Sequence, residues 1–317
     1  MERQQAVESV RQASAAASSS VNAFSARVFK TRGGRMGSSM GALLEALWGY
    51  YVNQQLSETR KGAADCELAW MVGHQYSDFA CVSLNEPWDS STLRGELFRI
   101  EVKSMNIGAD ESKGHFDQVI DGVGEWDQLL VLVWLWEGVD EVRVCPKILD
   151  YYFGSARAVA RLRDELHITR GGSFVDRSRC PDGCDPSTCQ HHGEPLNADG
   201  RRERKSGPVS RRVSQDVSYA SNFGGLVRML KTSSNPARRR LRELRAEDEV
   251  ADGYIAFIHR IFPNEERNHY TIGEWRLVAQ KLGVDTAGLG PDDVVRAVRA
   301  AGPLYRELFR SLPTLGE

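Results

Sequence analysis

The stretch "DQLLVLVWLWE", residues 127–137, is almost wholly large and apolar. A strand with one wet face alternates apolar and polar residues, so an unbroken run suits a strand buried on both faces. Such a strand needs a layer above it and another below. A mixed sheet flanked by helices is one layer arrangement that provides both, and the rest of the chain supplies candidates for it. In Met40 to Leu56, Leu43, Leu44, Leu47 and Tyr51 recur at three-to-four spacing, which predicts a helix. "SARAVARLRDEL" (155–166) reads as another, opened by Ser155.

Three short apolar runs, "CELAWMV" (66–72), "DFACVSL" (78–84) and "ELFRIEVKSMN" (96–106), follow one another with turns between them and read as an antiparallel meander. A helix is expected over 110–123, with Asp110 as its cap, and a further strand over 142–149. The Gln/Ala/Ser-rich segment Met1 to Ser20 reads as a frayed helix or as disordered. Towards the C-terminus, "DGYIAFIHRIFP" is helical, and "TIGEWRLVAQKLGV" (271–284) carries a Thr cap, a capping-box Glu274 and a terminating Gly283. "PDDVVRAVRAAGPLYRELFRSL" adds one or two helices. The expected organisation is an α/β chain: a flexible or helical arm over 1–35, a sheet-and-helix core over 36–170, a loop-rich basic segment over 171–245 and a small helical subdomain over 246–317.

The meander carries charge where a buried strand should not. Glu101 and Lys103 stand two apart in the third run, on one face, and Asp78 opens the second run. If those runs are hairpin neighbours, Asp78 and Glu101 converge at one end of the sheet. Converging carboxylates repel unless a cation joins them. Mg²⁺ favours such oxygen ligands and keeps waters that can react. Lys103 could then orient or deprotonate the attacking water, or neutralise a phosphate. Glu45 lies inside the first apolar helix, flanked by apolar residues.

Asp78, then Glu101-Val102-Lys103 behind the apolar "LFRI", with Glu45 in the preceding helix, resembles the PD-(D/E)xK nuclease superfamily, the fold of most type II restriction endonucleases. The likeness covers roughly residues 36–150. It implies a restriction-endonuclease-like core in which Asp78 and Glu101 bind Mg²⁺, Lys103 assists hydrolysis of a DNA phosphodiester and Glu45 is an auxiliary carboxylate. It also implies a homodimer, one site for each strand. Ser77 stands where that motif usually has proline, which leaves Asp65, Glu67 and Asp89 as competitors for the first acid.

Cys180, Cys184 and Cys189, followed by His191 and His192, form a loop rich in Pro and Gly. Three thiols and either histidine suit a closed, structural Zn²⁺ site. Cys66, Cys81 and Cys145 are isolated in apolar runs and behave as small hydrophobes. The net charge of the chain is only -2, yet residues 201–245 hold 13 Lys and Arg against three acids. Arg201, Arg202, Arg204, Lys205, Arg211 and Arg212 open that stretch and are the candidate contacts to double-stranded DNA. The expected function is therefore a Mg²⁺-dependent type II restriction endonuclease. A non-catalytic zinc-containing DNA-binding protein, or a DNA-repair or mobile-element nuclease of the same fold, are the alternatives. No apolar run reaches membrane-spanning length and no leader pattern is visible, so a cytoplasmic protein is expected.

Overall fold

The computed structural model describes residues 3–32, 38–59, 65–71, 76–109, 114, 116, 120–169, 183, 203–204, 207–208, 225–230 and 235–312. Two helices, α1 (Arg3–Val28) and α2 (Ser38–Thr59), precede five strands: β1 (Cys66–Trp70), β2 (Phe79–Ser83), β3 (Glu96–Asn106), β4 (Gln128–Gly138) and β5 (Val144–Ser155). A third helix, α3 (Ala156–Thr169), follows directly, and the Ser155 hydroxyl accepts the Ala158 N–H at 3.2 Å to open it. The strands lie in sequence order and pair antiparallel, except that β3 and β4 run parallel. This is a mixed sheet with helices on both faces.

The run that predicted burial on both faces has it. Leu130, Leu132 and Trp134 of β4 join a core with Val10 and Ala17 of α1 and Trp48 and Val52 of α2. Leu129, Val131 and Val133 face the opposite way and pack with Val159 and Leu162 of α3. Helix α1 is the helical alternative expected for the N-terminus, but it is neither frayed nor disordered. It buries Ala6, Ala13, Ala17, Ser14, Ser18 and Ser25 among its valines and is a structural layer rather than a peripheral arm. Small side chains give a weak apolar signal but let a helix lie close to its neighbours. Ser14 keeps its buried hydroxyl satisfied by donating back to the Val10 carbonyl at 2.7 Å.

Both edges of the sheet are closed by an asparagine from a helix. Asn53 of α2 donates to the Leu68 carbonyl of β1 at 2.8 Å and accepts the Leu68 N–H at 2.7 Å. Asn22 of α1 makes the same pair of bonds with Ile148 of β5, at 2.8 and 2.7 Å. Each side-chain amide takes the place of a missing strand and satisfies backbone groups that would otherwise be left open.

The helix expected over 110–123 is not what the described positions there show. Gly114 is left-handed (φ +48°), Phe116 is not helical, and Ile120–Gly122 is one 3-10 turn. Beyond α3, β6 (Glu203–Arg204) and β7 (Gly207–Pro208) form a two-stranded antiparallel ladder. Helices α4 (Asn235–Glu247), α5 (Glu249–Ile261), α6 (Pro263–Asn268), α7 (Ile272–Lys281), α8 (Pro291–Ala300) and α9 (Tyr305–Arg310) complete the chain. Thr271 and Glu274 form the expected capping box on α7, and Gly283 follows that helix with φ +70°. The helical subdomain expected over 246–317 divides in two. Tyr254, Ile255 and Ile258 of α5 belong to the sheet's second core, whereas Tyr270, Trp275, Val278, Val294, Val298 and Phe309 form a core of their own. No helix among the described residues is long and apolar enough to cross a membrane.

Candidate active site

Strand β3 outruns β2. Their ladder ends at Phe79 opposite Ile100, and the Asp78 N–H makes one last bond to the Ile100 carbonyl at 3.0 Å. From Glu101 onward β3 is paired only with β4, which leaves a notch along its other edge. Asp78 lies in that notch, and its Oδ2 accepts the Val102 N–H at 2.7 Å in place of a strand carbonyl. Glu101 and Lys103, on one face of β3, form an ion pair of 2.5 Å. At 15% and 23% side-chain exposure, this is not a solvated surface pair.

Glu45 reaches the same place from α2. Gly41, Glu45 and Gly49 recur every four residues and so form one stripe along the helix. A Cβ at Gly49 would lie 2.5 Å from the Phe79 ring, and one at Gly41 would collide with Ser104 of β3. The glycines therefore let α2 settle onto β2 and β3, and the carboxylate between them arrives beside the notch. The electrostatics record the convergence. Burial, the charge of Asp78 and that of Glu101 push the Glu45 carboxyl up to about 8, against the pull of Lys103. Burial and then Glu101 also raise Asp78, opposed by the Val102 N–H and Lys103. The sequence placed these four residues together by motif and order. It missed the glycines, whose four-residue spacing around Glu45 was the available signal.

Two further residues shape the notch. Ser77, immediately before Asp78, is buried with φ +82°, and its N–H donates to Glu101 Oε2 at 2.9 Å. Asp127, at the start of β4, accepts the Arg99 N–H at 3.0 Å and the Gly124 N–H at 2.8 Å, tying β4 to β3 two residues before Glu101. The competing acids lie elsewhere. Asp65 is exposed at the start of β1 and its Oδ2 is 3.5 Å from Asn85, Glu67 pairs within the β1–β2 ladder, and exposed Asp89 is held by Ser91 and Thr92 in its own turn.

Among the described residues, no three His, Cys, Asp or Glu side chains stand close enough to hold a metal ion as they are. At the notch, Glu101 Oε2 accepts the Ser77 N–H and Oε1 pairs with Lys103, while Asp78 Oδ2 accepts the Val102 N–H. The donor set itself fits a hard cation, because Asp78 and Glu101 outweigh the single charge of Lys103 and a bound cation would favour ionisation of Glu45. Cys180, Cys184, Cys189, His191 and His192 lie outside the described residues, as do Arg201, Arg202, Lys205, Arg211 and Arg212; Arg204 falls in β6. Comparison with protein-family profiles, with curated proteins and with solved structures found no match.

Proposed function

We propose that the chain is a Mg²⁺-dependent endonuclease hydrolysing phosphodiester bonds of double-stranded DNA, of the type II restriction enzyme kind. One observation carries the reading: Glu45, Asp78, Glu101 and Lys103 meet at the notch from α2, the lead into β2, and β3. A helix, three antiparallel strands and a parallel fourth support the PD-(D/E)xK likeness, whereas the helix it calls for between β3 and β4 is not seen at the described positions there. Asp78 and Glu101 would hold Mg²⁺, with Glu45 acting on its water shell. Bound there, the cation would polarise a phosphoryl oxygen and acidify a water. As the ammonium, Lys103 would neutralise the phosphate on the same face; only after giving up a proton could its neutral amine take one from the attacking water. A closed Zn²⁺ site from Cys180, Cys184, Cys189 and His191 or His192 would brace the loop before the basic stretch. A homodimer would bring one notch to each strand.

The test is incubation of the purified protein with supercoiled plasmid and Mg²⁺. Discrete fragments are expected, and Lys103→Ala should bind duplex normally while cutting at least ~100-fold more slowly. Cutting by Lys103→Ala at the wild-type rate would remove the assignment. Retention of duplex by a wild-type protein that never cuts would favour the non-catalytic zinc-containing binder.

A further inference from the structure

We propose that Ser77 is a positioning residue for Glu101, acting through its backbone N–H from a left-handed conformation. The proposal rests on the cation site above and assigns a role within it. Ser77 and Leu93 are the two residues other than glycine with positive φ among those described. An L side chain at such a φ is strained, and the strain persists only where the surroundings fix it. The rotation is roughly 150° from an extended strand value, enough to turn the preceding peptide's N–H out of the ladder direction. That N–H meets Glu101 Oε2 at 2.9 Å while Lys103 Nζ holds Oε1 at 2.5 Å. With both oxygens held, the carboxylate plane is fixed beside Asp78. Among the described residues the buried Ser77 hydroxyl has no partner, whereas its N–H does, so the backbone is what the position uses. Proline, fixed near φ -65° and lacking an N–H, could supply neither feature.

Two substitutions separate the N–H from the side chain. Ser77→Gly keeps the donor and relieves the strain; replacing the Tyr76–Ser77 amide by an ester removes the donor alone. Mn²⁺ affinity is read without DNA, by the loss of the free-ion resonance signal, with thermal midpoints as the check on folding. Ser77→Gly should bind as wild type does, and the ester should bind about 10-fold more weakly, the size of effect expected for an outer partner of a metal ligand. An ester variant that binds equally well or more tightly overturns the proposal. Should the ester variant not fold, exchange of the wild-type Ser77 amide proton with Mg²⁺ bound decides: continued protection supports positioning, and fast exchange on cation binding overturns it. Wild-type protein with no Mn²⁺ binding that Glu101→Gln removes would overturn the cation site itself. That failure is distinguishable from failure at Ser77, where wild type binds and the ester binds equally.

Discussion

At the scale of the residue, the same substitution should have opposite signs at two helical glycines. Gly49→Ala places a methyl against the Phe79 ring, which is itself packed with Trp48 and Trp70 at centroid distances of 6.0 and 5.4 Å. Alanine gains about 1 kcal/mol of helix propensity, but overpacking a filled site costs about 1–3 kcal/mol, so a net loss is expected. Gly253, inside α5, has nothing within 4 Å of an added Cβ. Gly253→Ala should therefore stabilise by about 0.5–1 kcal/mol. Urea midpoints measure both. Gly49→Ala should also weaken cation binding, because lifting α2 withdraws Glu45 from the notch. A Gly49→Ala protein as stable as wild type would mean that α2 is not seated as described.

At the scale of the element, the two asparagines decide how the sheet ends. Asn53→Leu leaves the Leu68 N–H and carbonyl of β1 without their partner, and Asn22→Leu does the same to Ile148 of β5. Each should cost about 1–3 kcal/mol, the penalty for buried backbone groups left unpaired. The two sites sit at opposite edges of the sheet, about 19 Å apart at the usual strand spacing, so their effects should add in the double variant. Chemical denaturation of the three proteins checks this. Elements were legible where chemistry repeats locally: the unbroken apolar β4, the alternation around Glu101 and Lys103, and the Thr271–Glu274 box. They were not legible where a distant partner decides. Helix α1 shows Ala and Ser to water and to core alike, so its burial leaves almost no periodic trace. The parallel pairing of β3 with β4 is likewise a choice of neighbour that neither strand's residues state. The order of the runs brought Asp78 and Glu101 near one another, but the notch exists because β2 stops at Phe79, a matter of register.

At the scale of the whole molecule, a buried histidine pair joins the sheet-side core to the C-terminal helices. His269 Nε2 donates to the Leu230 carbonyl, so its Nδ1 accepts the His259 Nε2–H at 2.6 Å. His259 Nδ1 then faces Glu266 at 3.9 Å, and Glu266 is held by Tyr305, Arg299 and Arg306. Burial first, then the charges of His269, Arg245, Arg306 and Arg299, hold the His259 pKa far below its ordinary value of 6.5. The folded state keeps this ring neutral while the unfolded chain protonates it as pH falls. Stability from this group is thus complete about one unit above pH 6.5, and at pH 5.5 it should be lower than that full value by about 1.4 kcal/mol. His259→Gln should flatten that slope, and comparing slopes between the two proteins cancels the opposite trend of Glu45, which both share. On the proposed function, Glu45, Asp78, Glu101 and Lys103 form one cation-dependent site. Anomalous diffraction from crystals soaked in Mn²⁺ tests it most directly. A peak in contact with the Asp78 and Glu101 carboxylates is the expected result. Mn²⁺ peaks elsewhere on the protein, with both carboxylates still turned onto Val102 N–H and Lys103, would contradict it.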